Sequence, residues 1–401
     1  MILVGCQPQT NGNNELHGRI LLWHSWSEAE TAVLEEMLQQ FMDIHPEVTI
    51  ITAAIPADEL RMRYETTVPQ GLGPNLLIGD ADWIPDLIEQ GLIANFSEQD
   101  VSAINFSPAA VRALRIQAYE GLYGLPLSLS TDVLYYNADQ VNLPAQTLND
   151  LWEEAEDGRI VAIPITFVRA YWGIHDFGNG LFNSDDQLDL NQSGFVEWLT
   201  TLKDVQEIPN MVLSRDAMAL QQLFTSGRAA YYVGRPEELG VLQEALGEDR
   251  VKTETLPGGD VGLTSSLLSV EVLMLNTASS QQQTTLAVEI AQFLTNQEQS
   301  TQLMRQAGKV PANRRVEVNP QIYPSMADFV LQTRTAVTLP PDIPQPTITE
   351  LGDLAYANVL SGLLTPLEAV CDFGRGFLDP AREISVEVAL PDNCPNPTED
   401  S

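Results

Sequence analysis

Apolar and polar positions along the first hundred residues switch between the periods of strand and helix. Arg19 to Trp23 is a short apolar run that predicts a first strand. Ser27 with Glu30 predicts a capping box. Val33, Leu34, Met37, Leu38 and Phe41 follow at helical spacing. Pro46 ends that helix, and Val48 to Ile55 predicts a second strand. A helix from Ala57 to Val68, a third strand from Asn75 to Gly79 and a short helix from Pro85 to Gln90 come next. Gly91 then falls at the C′ position, where a left-handed backbone suits glycine. Strand, helix, strand, helix, strand predicts a mostly parallel sheet covered by helices, with ligands at the carboxyl ends of its strands.

The stretch 119–137 breaks this rhythm. Gly121, Gly124 and Pro126 exclude a helix interior, and Val133-Leu134-Tyr135-Tyr136 is a strand run that is apolar on both faces. The segment predicts two extended runs parted by a polar break from Ser128 to Asp132. It reads either as a crossing between two lobes or as a β-arm inside one α/β domain.

Composition narrows the class. A chain of 401 residues suits two lobes, and 44% apolar content is that of a folded protein. The net charge is −35, from 20 basic and 55 acidic residues. Such a chain repels phosphate backbones and anionic lipid, which argues against nucleic acid as a partner. No further run of about 20 apolar residues follows the start, so no membrane-spanning segment is predicted.

Three cysteines leave an odd one. Met1 to Cys6, Met-Ile-Leu-Val-Gly-Cys, resembles the lipobox of bacterial lipoproteins, and the polar stretch Gln7 to Asn14 reads as a tether. That resemblance implies acylation of Cys6 and a site outside the cytoplasm; a longer signal is expected upstream. A chance cysteine is the alternative. Cys371 and Cys394 then remain, as a disulfide that staples the Pro-rich tail or as two free thiols.

Two strand ends carry suggestive chemistry: Trp23-His24-Ser25-Trp26, and Asp80-Ala81-Asp82-Trp83. Indole faces stack on sugar rings, and carboxylates bind vicinal hydroxyls. Packing of each Trp beneath a helix is the competing reading. Asp80 and Asp82 are also a conceivable acid and nucleophile of a glycosidase. No Gly-x-Ser-x-Gly, His-Glu-x-x-His or P-loop motif supports an enzyme. His24 is a candidate cleft residue, and His45 before Pro46 reads as structural.

Taken together, several segments resemble extracellular solute-binding proteins of the maltose-binding type. They are the "GLYGLP…YYN" stretch at 121–137, "LLWHSWSEAE…FMDIHPEV" at 21–48 and "GPNLLIGDADWIPDLIEQGLI" at 73–93. "FTSGRAAYYVGRP" at 224–236 and "AVEIAQFLTNQEQSTQLMRQAGKVPANRRV" at 287–316 follow in the family's order. The resemblance implies an α/β type II periplasmic-binding-protein fold with two discontinuous lobes joined by a hinge. It implies a lipobox and flexible tether over 1–18, a first lobe of 19–128 plus 266–313, a second of 132–262 plus 314–390, and a Pro-rich acidic tail at 391–401. Crossings are expected near Ser128–Asp132, Gly262–Ser266 and Pro311–Arg315.

By function, the resemblance implies a monomeric carbohydrate-binding component of an ABC importer. Its partners are a small solute and the permease, with no cofactor and no metal. Asp82 matches a hydroxyl-binding acid of the family and Trp23 a site-edge Trp. Trp172, with Tyr171 and Arg169 beside it, matches a region of aromatic contacts. Four positions depart: Trp83 replaces a basic residue, Ser130 a hinge Glu, and Glu237 and Glu350 each a stacking Trp. Glu237 with Arg235 suits a smaller, more polar sugar or a cationic solute, unless Glu237 and Glu238 only begin a helix. A sensor or scaffold lipoprotein of the same fold is a further alternative.

Overall fold

The computed structural model describes residues 16–97, 101–116, 119–258, 264–341, 343–382, 384 and 386–395. Cys6 and the tether to residue 15, residues 262 and 263 of the second expected crossing, and the tail beyond 395 lie outside them.

The first sheet is built from β1 (Gly18–His24), β2 (Val48–Ala54), β3 (Leu76–Asp80), β4 (Ile93–Ala94) and β5 (Leu125–Ser130). The chain then leaves for a second sheet of β6 (Val133–Asn137), β7 (Ile160–Pro164), β9 (Met211–Ser214), β10 (Ala229–Gly234) and β11 (Val251–Glu254). It returns to the first with β12 (Ser269–Asn276) and β13 (Val310–Pro311). The first sheet is ordered β13-β5-β12-β3-β1-β2, with β4 on β12, and the second β11-β6-β10-β7-β9.

The first sheet is mixed, not mostly parallel. β1, β2 and β3 are parallel as the periodicity predicts, but β12 lies antiparallel between β3 and β5. A strand arriving from 190 residues downstream leaves no mark on local periodicity. The polar break also differs from expectation. Ser128 and Ser130 are inside β5, and only Thr131 and Asp132 part it from β6. The serines are the polar face of a strand whose other face, Leu127 and Leu129, is buried.

β6 is apolar on both sides because it divides two cores. Val133 and Tyr135 join a cluster that runs back to the first sheet, while Leu134 joins a second cluster beneath the C-terminal helices. β10 splits likewise, with Tyr232 in the first cluster and Tyr231 and Val233 in the second. The helix Pro324–Thr333 connects the sheets: its Phe329 ring lies 6.3 Å from that of Tyr135.

Local rules hold where they were read. Ser27 and Glu30 close the capping box of the helix Glu28–Ile44. Gly91 has φ +69°, and Leu92 N–H reaches back to the Leu87 carbonyl, closing the helix Ile84–Glu89. At the other end, Cys371 and Cys394 form a disulfide with Cα atoms 5.8 Å apart. It ties down a strap in which β14 (Val388–Ala389) pairs with β8 (Leu188–Asp189).

Candidate functional site

The carboxyl ends of the parallel strands in both sheets meet at the crossing, where open α/β sheets place ligands. On the first sheet the register sets Ser269 opposite Ser130, and Glu271 opposite Ser128 on one side and Asp80 on the other. Alternation puts these five polar residues on one face.

Glu271 is the hub of that face. It accepts from Trp26 Nε1 at 2.5 Å, Ser128 Oγ at 2.7 Å and Lys309 Nζ at 3.3 Å. Lys309 also meets Glu30 at 3.0 Å and lies 4.5 Å from the centre of the Trp26 ring. Burial alone lowers a lysine, but Glu271 and Glu30 outweigh it and raise Lys309 above its ordinary pKa.

The second sheet contributes a charged knot. Asp132, wholly buried before β6, takes Arg169 Nε at 2.5 Å. Arg169 also meets Glu238 at 3.2 Å and the Val233 carbonyl at 3.2 Å. Glu238 accepts from the Tyr232 hydroxyl at 2.5 Å and from Arg235 N–H at 3.1 Å, which fixes the turn after β10. Burial pushes Asp132 upward while Arg169 and Arg235 pull it down, and the paired carboxylates hold Arg169 protonated. Arg235 Nε stands 3.9 Å from Asp132, and Arg235 Nε and Nη2 are buried without a hydrogen-bond partner.

Three contacts tie the sheets together. Ser130 Oγ donates to Glu237 at 2.9 Å, Arg235 Nη1 reaches Ser269 Oγ at 3.5 Å, and the Thr131 hydroxyl meets that of Ser266. Asp80 faces this junction. Its carboxylate is exposed on one side, while protein packed on the others removes part of its hydration. That loss, with Asp82 and Glu271 nearby, pushes its pKa up to about 7 against the pull of Arg235. Asp82 is also raised, by burial that Arg61 offsets in part.

The structure therefore gathers Trp26, Asp80, Ser130, Arg235 and Glu237, with Asp82 beside Asp80. Trp23 and Trp83 are half-buried against the first core. The Trp83 indole lies over Gly79, where a Cβ would fall 2.4 Å from Cζ3.

Other candidates sit elsewhere. His24 is 0% exposed; its Nδ1 accepts Trp26 N–H at 3.2 Å, and burial lowers its pKa, so it is a neutral interior residue. Tyr171 and Trp172 are 2% and 0% exposed, inside the second core, with Trp172 5.0 Å from Trp198. The turn that carries them is flanked by buried Phe167, Ala170 and Ile174, so its aromatics point inward. Glu350 is exposed and pairs with Arg382 at 3.4 Å, outside the cluster.

Glu271, Lys309 and the knot of Asp132 with Glu238 escaped sequence reasoning. Their signal was the polar alternation in "PLSLST" and "SVEV" and a lone Asp in an apolar run. Among the described residues no group of His, Cys, Asp and Glu is placed to hold a metal ion.

Residues 36–327 match the model of the family described as bacterial extracellular solute-binding protein. A maltotriose-binding protein of Pyrococcus abyssi is 27% identical over 57% of this chain, which spans about half (51%) of that relative's length. A galactooligosaccharide-binding protein of Bacillus subtilis is 25% identical over 75% of this chain and 76% of its own. In structure, a cyclo/maltodextrin-binding protein complexed with maltotetraose superimposes with a TM-score of 0.80 at 20% identity, over 92% of this chain and 98% of that one. The GacH receptor of Streptomyces glaucescens gives 0.76 at 19% identity, over 92% and 99%. These likenesses show the type II binding-protein fold. With its match spanning 36–327, the chain belongs to the bacterial extracellular solute-binding protein family.

Proposed function

We propose that this protein is the substrate-binding component of an ABC importer and captures a carbohydrate between two lobes. The lobes are 19–128 plus 266–313 and 132–262 plus 314–390. The observation that carries the reading is the polar junction itself. Acceptors on the first sheet face guanidinium donors on the second, which is the arrangement that hydroxyl groups satisfy. Relatives named for maltotriose and galactooligosaccharide support that ligand class. A ligand that touches both lobes favours the closed arrangement, which the permease reads. The protein is a monomer that turns over no glycoside, and Cys6 anchors it outside the cytoplasm through lipid.

A melting-temperature screen with maltotriose, galactobiose, monosaccharides and polyamines tests this reading. The expected result is a rise of several degrees with at least one saccharide. No response to any saccharide sinks the carbohydrate assignment. A response to polyamines alone supports the second reading, a cationic solute, which Glu237 favours by standing where the family has a stacking Trp. Release of free sugar from a glycoside would sink the binding-protein reading altogether.

A further inference from the structure

Glu271 and Asp80 are opposed on neighbouring strands, yet their surroundings differ. Glu271 is filled by three donors, Trp26, Ser128 and Lys309. Among the described residues Asp80 makes no hydrogen bond or ion pair, though it faces the junction. Arg235 is its counterpart on the other sheet. Its side chain is 20% exposed, Nε and Nη2 have no acceptor, and Nη1 makes only the 3.5 Å contact to Ser269. Asp132 is hydrogen-bonded to Arg169 and pairs with Arg235 Nε only at 3.9 Å, too long for a hydrogen bond. Two buried N–H groups without an acceptor are costly in an empty site, and across from them the exposed Asp80 carboxylate is open to accept.

We infer that Asp80 and Arg235 select the solute together, Asp80 as ionised acceptor and Arg235 as donor to adjacent hydroxyls of a neutral polyol, so that capture releases a proton. The hydroxyl chemistry rests on the carbohydrate reading above; the coupling of the two residues does not. A sugar hydroxyl donates more strongly to a carboxylate than to a carboxylic acid, and its neighbour accepts from the guanidinium. The groups that face Asp80 are Asp82 from the turn after β3, Glu271 from β12, and Arg235 and Glu237 from the turn after β10. Three acids against one guanidinium also disfavour an anionic solute. Because Asp80 titrates near pH 7, its empty form is partly protonated at neutral pH, and that proton leaves to solvent when a hydroxyl binds.

Calorimetry with maltotriose and galactobiose from pH 5.5 to 8.5, in buffers of different ionisation enthalpy, tests the inference on the full chain. Affinity should fall by about tenfold per pH unit below 7, with up to one proton released per solute bound. Asp80→Asn should bind weakly with a flat pH profile, and Arg235→Gln should weaken binding by about tenfold or more while remaining folded. A pH slope that survives in Asp80→Asn, or unchanged affinity in Arg235→Gln, overturns the inference. A ligand-free arm separates it from the carbohydrate reading. The Asp80 carboxyl, followed by carbon NMR and assigned by its loss in Asp80→Asn, should titrate near 7 and move upward in Arg235→Gln. An unmoved midpoint refutes the pairing even if no saccharide binds.

Discussion

Arg169 is held by Asp132, Glu238 and the Val233 carbonyl at the point where the chain enters the second sheet. Asp132 is 0% exposed, so losing its cation leaves a bare buried charge. Arg169→Met should cost about 3–5 kcal/mol in urea unfolding. A loss below 1 kcal/mol would mean water or Arg235 replaces the missing partner. Asp80 makes the opposite prediction for the empty protein. Its folded pKa lies above the unfolded value, so the neutral form favours folding at low pH and that contribution is lost as pH rises towards 7. Asp80→Asn should therefore raise the melting temperature at pH 8.5 and leave it nearly unchanged at pH 4. Both residues differ in legibility. Asp80, at the end of a readable strand, was found in the sequence. Asp132 and Glu271 were not, because their partners are brought in by the fold from afar, Arg169 from a helix 37 residues on and Ser128 from a strand 143 residues before.

Elements were more legible than their arrangement. The capping box at Ser27, the C′ glycine at Gly91 and the apolar run of β6 each depend on neighbours in sequence. The antiparallel placement of β12 depends on remote partners, and the inward turn of Tyr171 and Trp172 on a core assembled from distant helices. The C-terminal strap is an element with its own test. β14 adds only two residues to β8, so the disulfide between Cys371 and Cys394 carries much of its attachment. In the chain-entropy account, closing a loop of that length contributes about 3 kcal/mol. Cys371→Ala with Cys394→Ala should lower the unfolding midpoint by that order. The strap's amides should then exchange with solvent faster than those of β10. Protection equal to wild type would show that packing alone holds it.

At the scale of the whole molecule, the net charge of −35 sets the background for every measurement. Like charges at this density oppose compaction and are screened within about 10 Å at 0.1 M salt. The melting temperature should rise by several degrees between low salt and 0.5 M sodium chloride; a fall would show that the internal ion pairs, not surface repulsion, dominate the salt response. The two cores have a spectroscopic consequence. Of six tryptophans, Trp172 and Trp198 lie 5.0 Å apart in the dry second core, and Trp26 is capped by an ammonium and bonded to a carboxylate. Emission from the interior pair is blue-shifted and indifferent to events at the junction. The indoles that can brighten or dim when the lobes shut are those on the junction side, Trp26 on Glu271 and the half-buried Trp83 beside Asp82. The light that reports capture is thus a minority of the light emitted, best isolated by exciting at the red edge or by quenching with iodide.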